Sequence, residues 1–170
     1  FYAKADERFK TDTKFNELAH QRVIELQRGD PEIVNAWNFI KDISRDAYNE
    51  IYDRLNVNLT EVGESFYQNM IPDLIDELKN KNLLTQEDDG GVTFRVNGFS
   101  FPLIVVKRDG GYTYDTTDLA AIRYRLVDLG VDRVYYVVGS AQSEHFDLLF
   151  KAARIAGWVK DHQELHHIGF

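Results

Sequence analysis

GGYTYDTTDLAAIRYR, residues 110–125, joins a glycine turn to a short aromatic and β-branched stretch that runs straight into a helical pattern. The spacing predicts a strand over Tyr112–Asp115 and a cap at Thr116 or Thr117. A helix follows with Leu119, Ile122, Leu126 and Leu129 on one face, ended at Gly130. Tyr114 and Asp118 fall at the strand-to-helix junction. In open α/β sheets small ligands bind outside the carboxyl ends of strands, where helix N-termini also point. A carboxylate there suits a small cation, although an acid in a first helical turn also simply stabilises the helix.

Downstream the pattern is regular. RVYYVV, residues 133–138, is an almost wholly apolar run, as expected of a strand covered on both faces. After a loop at Gly139–Gln142, Ser143 caps a helix carrying Phe146, Leu149, Phe150 and Ala153, and Gly157 closes it. Glu164–Ile168 is the next strand. The β-α-β-α-β order predicts an α/β fold with a Rossmann-like parallel sheet and right-handed crossovers over residues 103–170.

Upstream, residues 12–28 read as a helix with Phe15, Leu18, Ala19, Val23 and Leu26 on one face. Gly29-Asp30-Pro31-Glu32 then supplies a left-handed C-terminal glycine, an N-cap, a first-turn proline and an acid at the positive helix end. A long helix over 31–55 should fold back on the first as an N-terminal helical hairpin, a packing unit. Leu59–Val62 could form a short strand, and residues 71–81 a helix. Gln86–Gly91 is an acidic turn, Val92–Val96 a strand, Asn97-Gly98 a tight turn and Leu103–Lys107 a buried strand. Residues 1–102 are thus a connecting helical part with a small β-hairpin insertion.

The 170 residues carry a net charge of −8, which gives no electrostatic footprint for nucleic acid. An apolar share of 44% is enough to fill a core. No apolar run approaches a membrane span, no apolar leader follows a basic start, and the absence of cysteine excludes disulfides and thiolate metal sites. Phe1 without a methionine and Phe170 in mid-pattern read as the ends of a piece of a longer protein.

The predicted topology brings three junctions to one sheet edge: Tyr114 and Asp118, then Gln142, then His167-Ile168-Gly169. A carboxylate with a phenol oxygen suits a planar guanidinium, and an amide suits the polar head of an amino acid. His20, His145 and His162 read as ordinary helix or loop residues. His166 and His167, adjacent on a strand, point to opposite faces, and none of these makes a metal set. No G-x-G-x-x-G follows a strand, which argues against a dinucleotide site.

The block GGYTYDTTDLAAIRYRL, followed by DRVYYVV, AQSEHF and AARIAGW, resembles the catalytic core of the arginyl-tRNA synthetase family of class I synthetases. GESFY at 63–67, PLIVVKRDGG at 102–111 and ELQRGDPE at 25–32 are similar to it as well, so the likeness runs along essentially the whole chain. The resemblance implies the second half of a Rossmann-like catalytic core, in an enzyme that activates L-arginine with ATP and its Mg2+ and transfers it to tRNA(Arg). It implies a cytoplasmic ligase of protein biosynthesis, with an organelle as the alternative compartment, monomeric at full length and with no protein-bound metal. Tyr114, Asp118 and Gln142 match residues that bind arginine, and Glu64 matches a glutamate near the arginine and the terminal adenosine of the tRNA. His167, Gly169 and Phe170 match an H-x-G-F segment lining the adenine site. No catalytic residue is assigned.

The chain departs from the family where V-V-D-x-G-Q is usual, reading Val137-Val138-Gly139-Ser140-Ala141-Gln142. It also carries neither the H-x-G-H nor the K-M-S-K-type signature. His167-Ile168-Gly169-Phe170 imitates the former but belongs to a third strand, not to the first strand-helix junction. The fragment is therefore expected to be inactive alone. The rival reading is a non-catalytic Rossmann-type module binding a nucleotide or a cationic metabolite.

Overall fold

The protein is described from a computed structural model covering residues 1–170 apart from the side chain of Gln27. It divides into two compact units, Phe1–Thr60 and Glu61–Phe170.

The first unit is helical: α1 Tyr2–Thr11, α2 Thr13–Gln27 and α3 Pro31–Leu55. Helix α1 escaped the sequence reading, and the other two lie within a residue of it. Asp12 caps α2 by accepting from Phe15 N at 3.1 Å. Asp30 caps α3 by accepting from Glu32 N and Ile33 N, with Pro31 in the first turn. Gly29 has φ +78°, the left-handed geometry that ends a helix at no Cβ cost. Helices α2 and α3 are in contact. Phe39, Ile40, Ile43, Ile51 and Leu55 are nevertheless exposed, and no described side chain of this unit is buried. Capping and i,i+4 pairs such as Lys10–Asp6 support these helices locally.

The expected strand at Leu59–Val62 does not form, because these residues have no partner strand. A 3-10 segment, Glu64–Met70, leads instead into α4, Ile71–Asn80. Helix α4 buries Ile71, Leu74, Ile75 and Leu78, one stripe at helical spacing. An antiparallel meander follows, with β1 Thr85–Gln86, β2 Val92–Phe94 and β3 Leu103–Val106 in that order. Phe94 pairs with Leu103, and the β2–β3 register shifts at Val92/Thr93.

The stretch expected as a strand at Tyr112–Asp115 is not one: α5 occupies Tyr114–Arg123. Thr113, not Thr116 or Thr117, is the N-cap, and its N–H donates to Thr116 Oγ1 at 3.2 Å. The capping geometry therefore begins the helix earlier than the aromatic and β-branched composition suggests. Tyr124–Asp128 continues as a π turn, with Leu129 N donating to Tyr124 O at 2.9 Å. Leu119, Ile122 and Leu126 are buried as expected, whereas Leu129 is exposed, because the wider turn rotates it off the stripe.

Strands β4 Arg133–Val137 and β5 Glu164–Ile168 pair in parallel around α6, Ser143–Ile155, from Arg133↔Glu164 to Val137↔Ile168. The fold is thus α/β, but the expected three-strand parallel sheet reduces to this one pair, since its expected first strand at Tyr112–Asp115 runs into α5 and the preceding strand, β3, belongs to the meander. Strand β4 is also not covered on both faces: Val134 and Tyr136 are buried, while Tyr135 and Val137 are exposed. The core lies between α4, α5, α6 and the two sheets, around Leu78, Phe94, Leu103, Val105, Leu119, Ile122, Leu148 and Leu149.

No helix among the described residues is long and apolar enough to cross a membrane.

Candidate functional site

The TYDTTD block, residues 113–118, divides its side chains between two tasks. Thr113, Asp115 and Thr116 strap α5 to β3. Thr113 Oγ1 donates to Ile104 O, Thr116 Oγ1 donates to Val105 O at 2.6 Å, and Asp115 Oδ2 accepts from Ile104 N at 2.7 Å. Asp115 is buried, and that burial raises its carboxyl above the ordinary value. The Ile104 N–H and the nearby His145 pull it back, while Asp118 pushes it up further.

Tyr114 and Asp118, one turn apart on α5, are left outside the strap. Tyr114 is 67% exposed and Asp118 is partly exposed. Asp118 Oδ2 lies 2.8 Å from His145 Nε2, in the first turn of α6. The same imidazole places Nδ1 3.5 Å from Asp115 Oδ1 and packs against the Tyr114 ring at 5.4 Å. His145, read from sequence as an ordinary helix residue, is instead the meeting point of α5 and α6. A usable signal existed: His145 lies three residues beyond Gln142, in the first turn of the helix that follows the same junction.

Gln142 itself is exposed just before α6, its N–H donating to Gly139 O at 3.0 Å. Ser143 does not cap α6. Gln142 holds the N-cap position, and Ser143 Oγ donates back to Ser140 O at 2.5 Å.

At the end of β5, His167 stacks on Phe146 at 4.9 Å, and its Nε2 lies 3.0 Å from Val138 O. That oxygen only accepts, so Nε2 carries the hydrogen. Beyond the strands the parallel pairing continues through Val138 N to Ile168 O at 3.2 Å and Ser140 N to Phe170 O at 3.0 Å. Gly169 is required by this approach, since a Cβ there would lie 2.6 Å from Ser140 Oγ and 3.2 Å from Ser140 Cα. The Phe170 ring is exposed. Ring contacts run from Tyr114 to His145, to Phe146 and to His167, so the start of α5 and the junctions after β4 and β5 are neighbours.

Glu64 is exposed at the start of the 3-10 segment, which packs on α5 through the Phe66, Tyr67 and Tyr124 rings. No hydrogen bond or ion pair links Glu64 to Tyr114, Asp118 or Gln142 among the described residues. Behind α5, the Arg125 guanidinium lies over Tyr136 at 5.1 Å and donates to Tyr67 Oη at 3.3 Å. Burial pushes the Tyr136 phenol up to about 12, against the pull of Arg125. Tyr136 is core, as its sequence context suggested.

A guanidinium-sized cation could be met here by a carboxylate and a phenol on one helix face, with an amide at the next junction. Residues 1–170 all match the family described as tRNA synthetases class I (R), catalytic domain, and the chain belongs to that family.

The relatives are specific for one amino acid by name. The chain is 45% identical to "Arginine--tRNA ligase, cytoplasmic" of Homo sapiens, over 100% of this chain and 26% of that protein. It is 44% identical to "Arginine--tRNA ligase" of Chlamydia felis, over 99% of this chain and 30% of that protein. The crystal structure of arginyl-tRNA synthetase from Plasmodium falciparum superposes with a TM-score of 0.83 at 34% identity, over 93% of this chain and 28% of that one. The chain thus spans between a quarter and a third of the length of these relatives.

Proposed function

We propose that this chain supplies the amino-acid side of the active site of an arginyl-tRNA synthetase. In the whole enzyme L-arginine attacks the α-phosphate of ATP, pyrophosphate leaves, and a terminal ribose hydroxyl of tRNA(Arg) then takes the arginyl group with release of AMP. The observation that carries this reading is that the exposed Tyr114 ring and Asp118, whose Oδ1 has no hydrogen-bond partner among the described residues, lie one turn apart on α5. Tyr114 and Asp118 bind the guanidinium, Gln142 meets the amino-acid head, and Glu64 approaches from the 3-10 segment. His167, Gly169 and Phe170 form part of the adenine site. ATP brings Mg2+ with it, and no residue of this chain is assigned to the ion.

On this reading residues 103–170 are the second half of a Rossmann-like core and residues 1–102 its connecting part. The exposed Tyr135 and Val137 face of β4 supports this, being a surface that further sheet or helix would cover. The enzyme works in the cytoplasm, as a monomer. Its chemistry is positioning and charge stabilisation without a covalent protein intermediate. As is general in the family it resembles, tRNA would be bound for the first step.

The test is Asp118→Asn in the full-length enzyme. The KM for arginine should rise by about two orders of magnitude, since an amide cannot balance a buried guanidinium. Arginine kinetics like those of the parent would overturn the assignment. The isolated 170 residues, lacking both class signatures, should show no pyrophosphate exchange.

A further inference from the structure

We propose that His145 is the positioning residue of this site, fixing the orientation in which the Asp118 carboxylate meets a guanidinium-bearing ligand. The inference rests on reading the site as an arginine pocket. One imidazole touches all three side chains at the start of α5. Nε2 is 2.8 Å from Asp118 Oδ2, Nδ1 is 3.5 Å from Asp115 Oδ1, and the ring stands edge-on to Tyr114 at 5.4 Å. A carboxylate only accepts, so Nε2 carries a hydrogen and donates it to Asp118.

The ring has little freedom to do otherwise. Its side chain is 13% exposed and it packs against Phe146 at 5.2 Å. Asp115, on its other side, is itself held by Ile104 N. An aspartate free of partners presents two equivalent oxygens, and a guanidinium would take both as a symmetric fork. With Oδ2 already accepting from His145, Oδ1 is the less encumbered of the two oxygens. The ring thereby fixes the carboxylate in one orientation and leaves Oδ1, without a hydrogen-bond partner among the described residues, as the favoured acceptor for a guanidinium N–H. His145 touches no reacting atom in this role; it acts through Asp118.

The experiment uses the full-length enzyme with His145→Ala, His145→Gln and His145→Asn. The glutamine amide nitrogen falls near Nε2, and the asparagine nitrogen falls near Nδ1. His145→Ala should raise the KM for arginine roughly tenfold, the scale of one charge-assisted hydrogen bond, with the KM for ATP unchanged. His145→Gln should recover most of that loss and His145→Asn should not. A merely structural role would move both KM values and the melting temperature together, without rescue by glutamine. An arginine KM for His145→Ala within about twofold of the parent, less than one such bond is worth, would overturn the inference, as would glutamine and asparagine variants that behave alike. Should His145→Ala fail to fold, the contrast between the other two decides.

Asp118→Asn run alongside separates the two readings. If it raises the arginine KM while the His145 variants do not, only the positioning role falls. If Asp118→Asn has no effect, the arginine pocket falls and the inference with it.

Discussion

The carboxylate of Glu77 on α4 accepts a 2.6 Å hydrogen bond from Arg123 Nε at the end of α5. Its other oxygen accepts from Trp158 Nε1 and Lys81 Nζ, both at 2.7 Å. Lys81 also donates to Ala156 O at 2.6 Å. One side chain thus ties α4 to the end of α5 and to the segment that closes α6. Burial would push this carboxyl up, but the bonds from Lys81, Trp158 and Arg123, with the Arg123 charge, hold it at about 2.

Glu77→Ala should therefore lower stability by about 2–3 kcal/mol, because Arg123 and Trp158 would both lose a partner. Glu77→Gln keeps an acceptor for Trp158 and should cost less. Thermal melting of the two variants of the full-length protein checks the order. Equal melting temperatures for both variants and the parent would show that the junction adds nothing.

The same carboxyl makes the fold sensitive to acid. Its folded value of about 2 lies below the ordinary 4.5, so its contribution is complete above roughly pH 5. That contribution, about 3 kcal/mol, fades as the pH falls from there through 2. Urea titrations at pH 7 and pH 3 should show a loss that is smaller in Glu77→Gln than in the parent.

Asp115 is expected to behave in the opposite sense. Burial raises its carboxyl, so its charged form costs stability as the pH rises above the ordinary value of 3.8. Asp115→Asn retains an acceptor for Ile104 N and should match or exceed the parent at neutral pH. Asp115→Ala leaves that N–H without a partner and should cost about 1–3 kcal/mol. Denaturation midpoints decide, and an Asn variant as unstable as the Ala variant would contradict this account.

Gly169→Ala should force apart the loops that end β4 and β5, because the new methyl group meets Ser140 Oγ and Cα. A cost of about 1–3 kcal/mol is expected, together with a higher KM for ATP. Adding Ser140→Gly removes two of the three crowding atoms and should restore much of both. Failure of the double variant to improve on the single one would place the cause elsewhere.

The fold was legible wherever end signals and periodicity agreed. Asp30-Pro31 fixed the start of α3, and Glu164–Ile168 matches β5 residue for residue. At Tyr112–Asp115 the two signals conflicted. Aromatic and β-branched residues suggested a strand, but Thr113 and Thr116 form a cap that starts a helix. The π turn could not be read, since its extra residue per turn leaves no compositional mark, and Leu129 was misplaced as a result. His145 escaped because it meets Asp118 across 27 positions, through the packing of two helices that spacing along either one does not describe.

The straps from Thr113, Asp115 and Thr116 fasten Tyr114 and Asp118 to the antiparallel meander, whereas Gln142 and His145 are carried by the parallel pair. The candidate site is therefore assembled across two sheets, and the Asp118–His145 separation is a gauge of their relative position. A slip in the β2–β3 pairing would be transmitted through the straps to the carboxylate, and a displacement of β4 would be transmitted to the imidazole. If the proposed arginine site is right, changes far from the ligand in either sheet would then alter selectivity for the amino acid before they altered the fold.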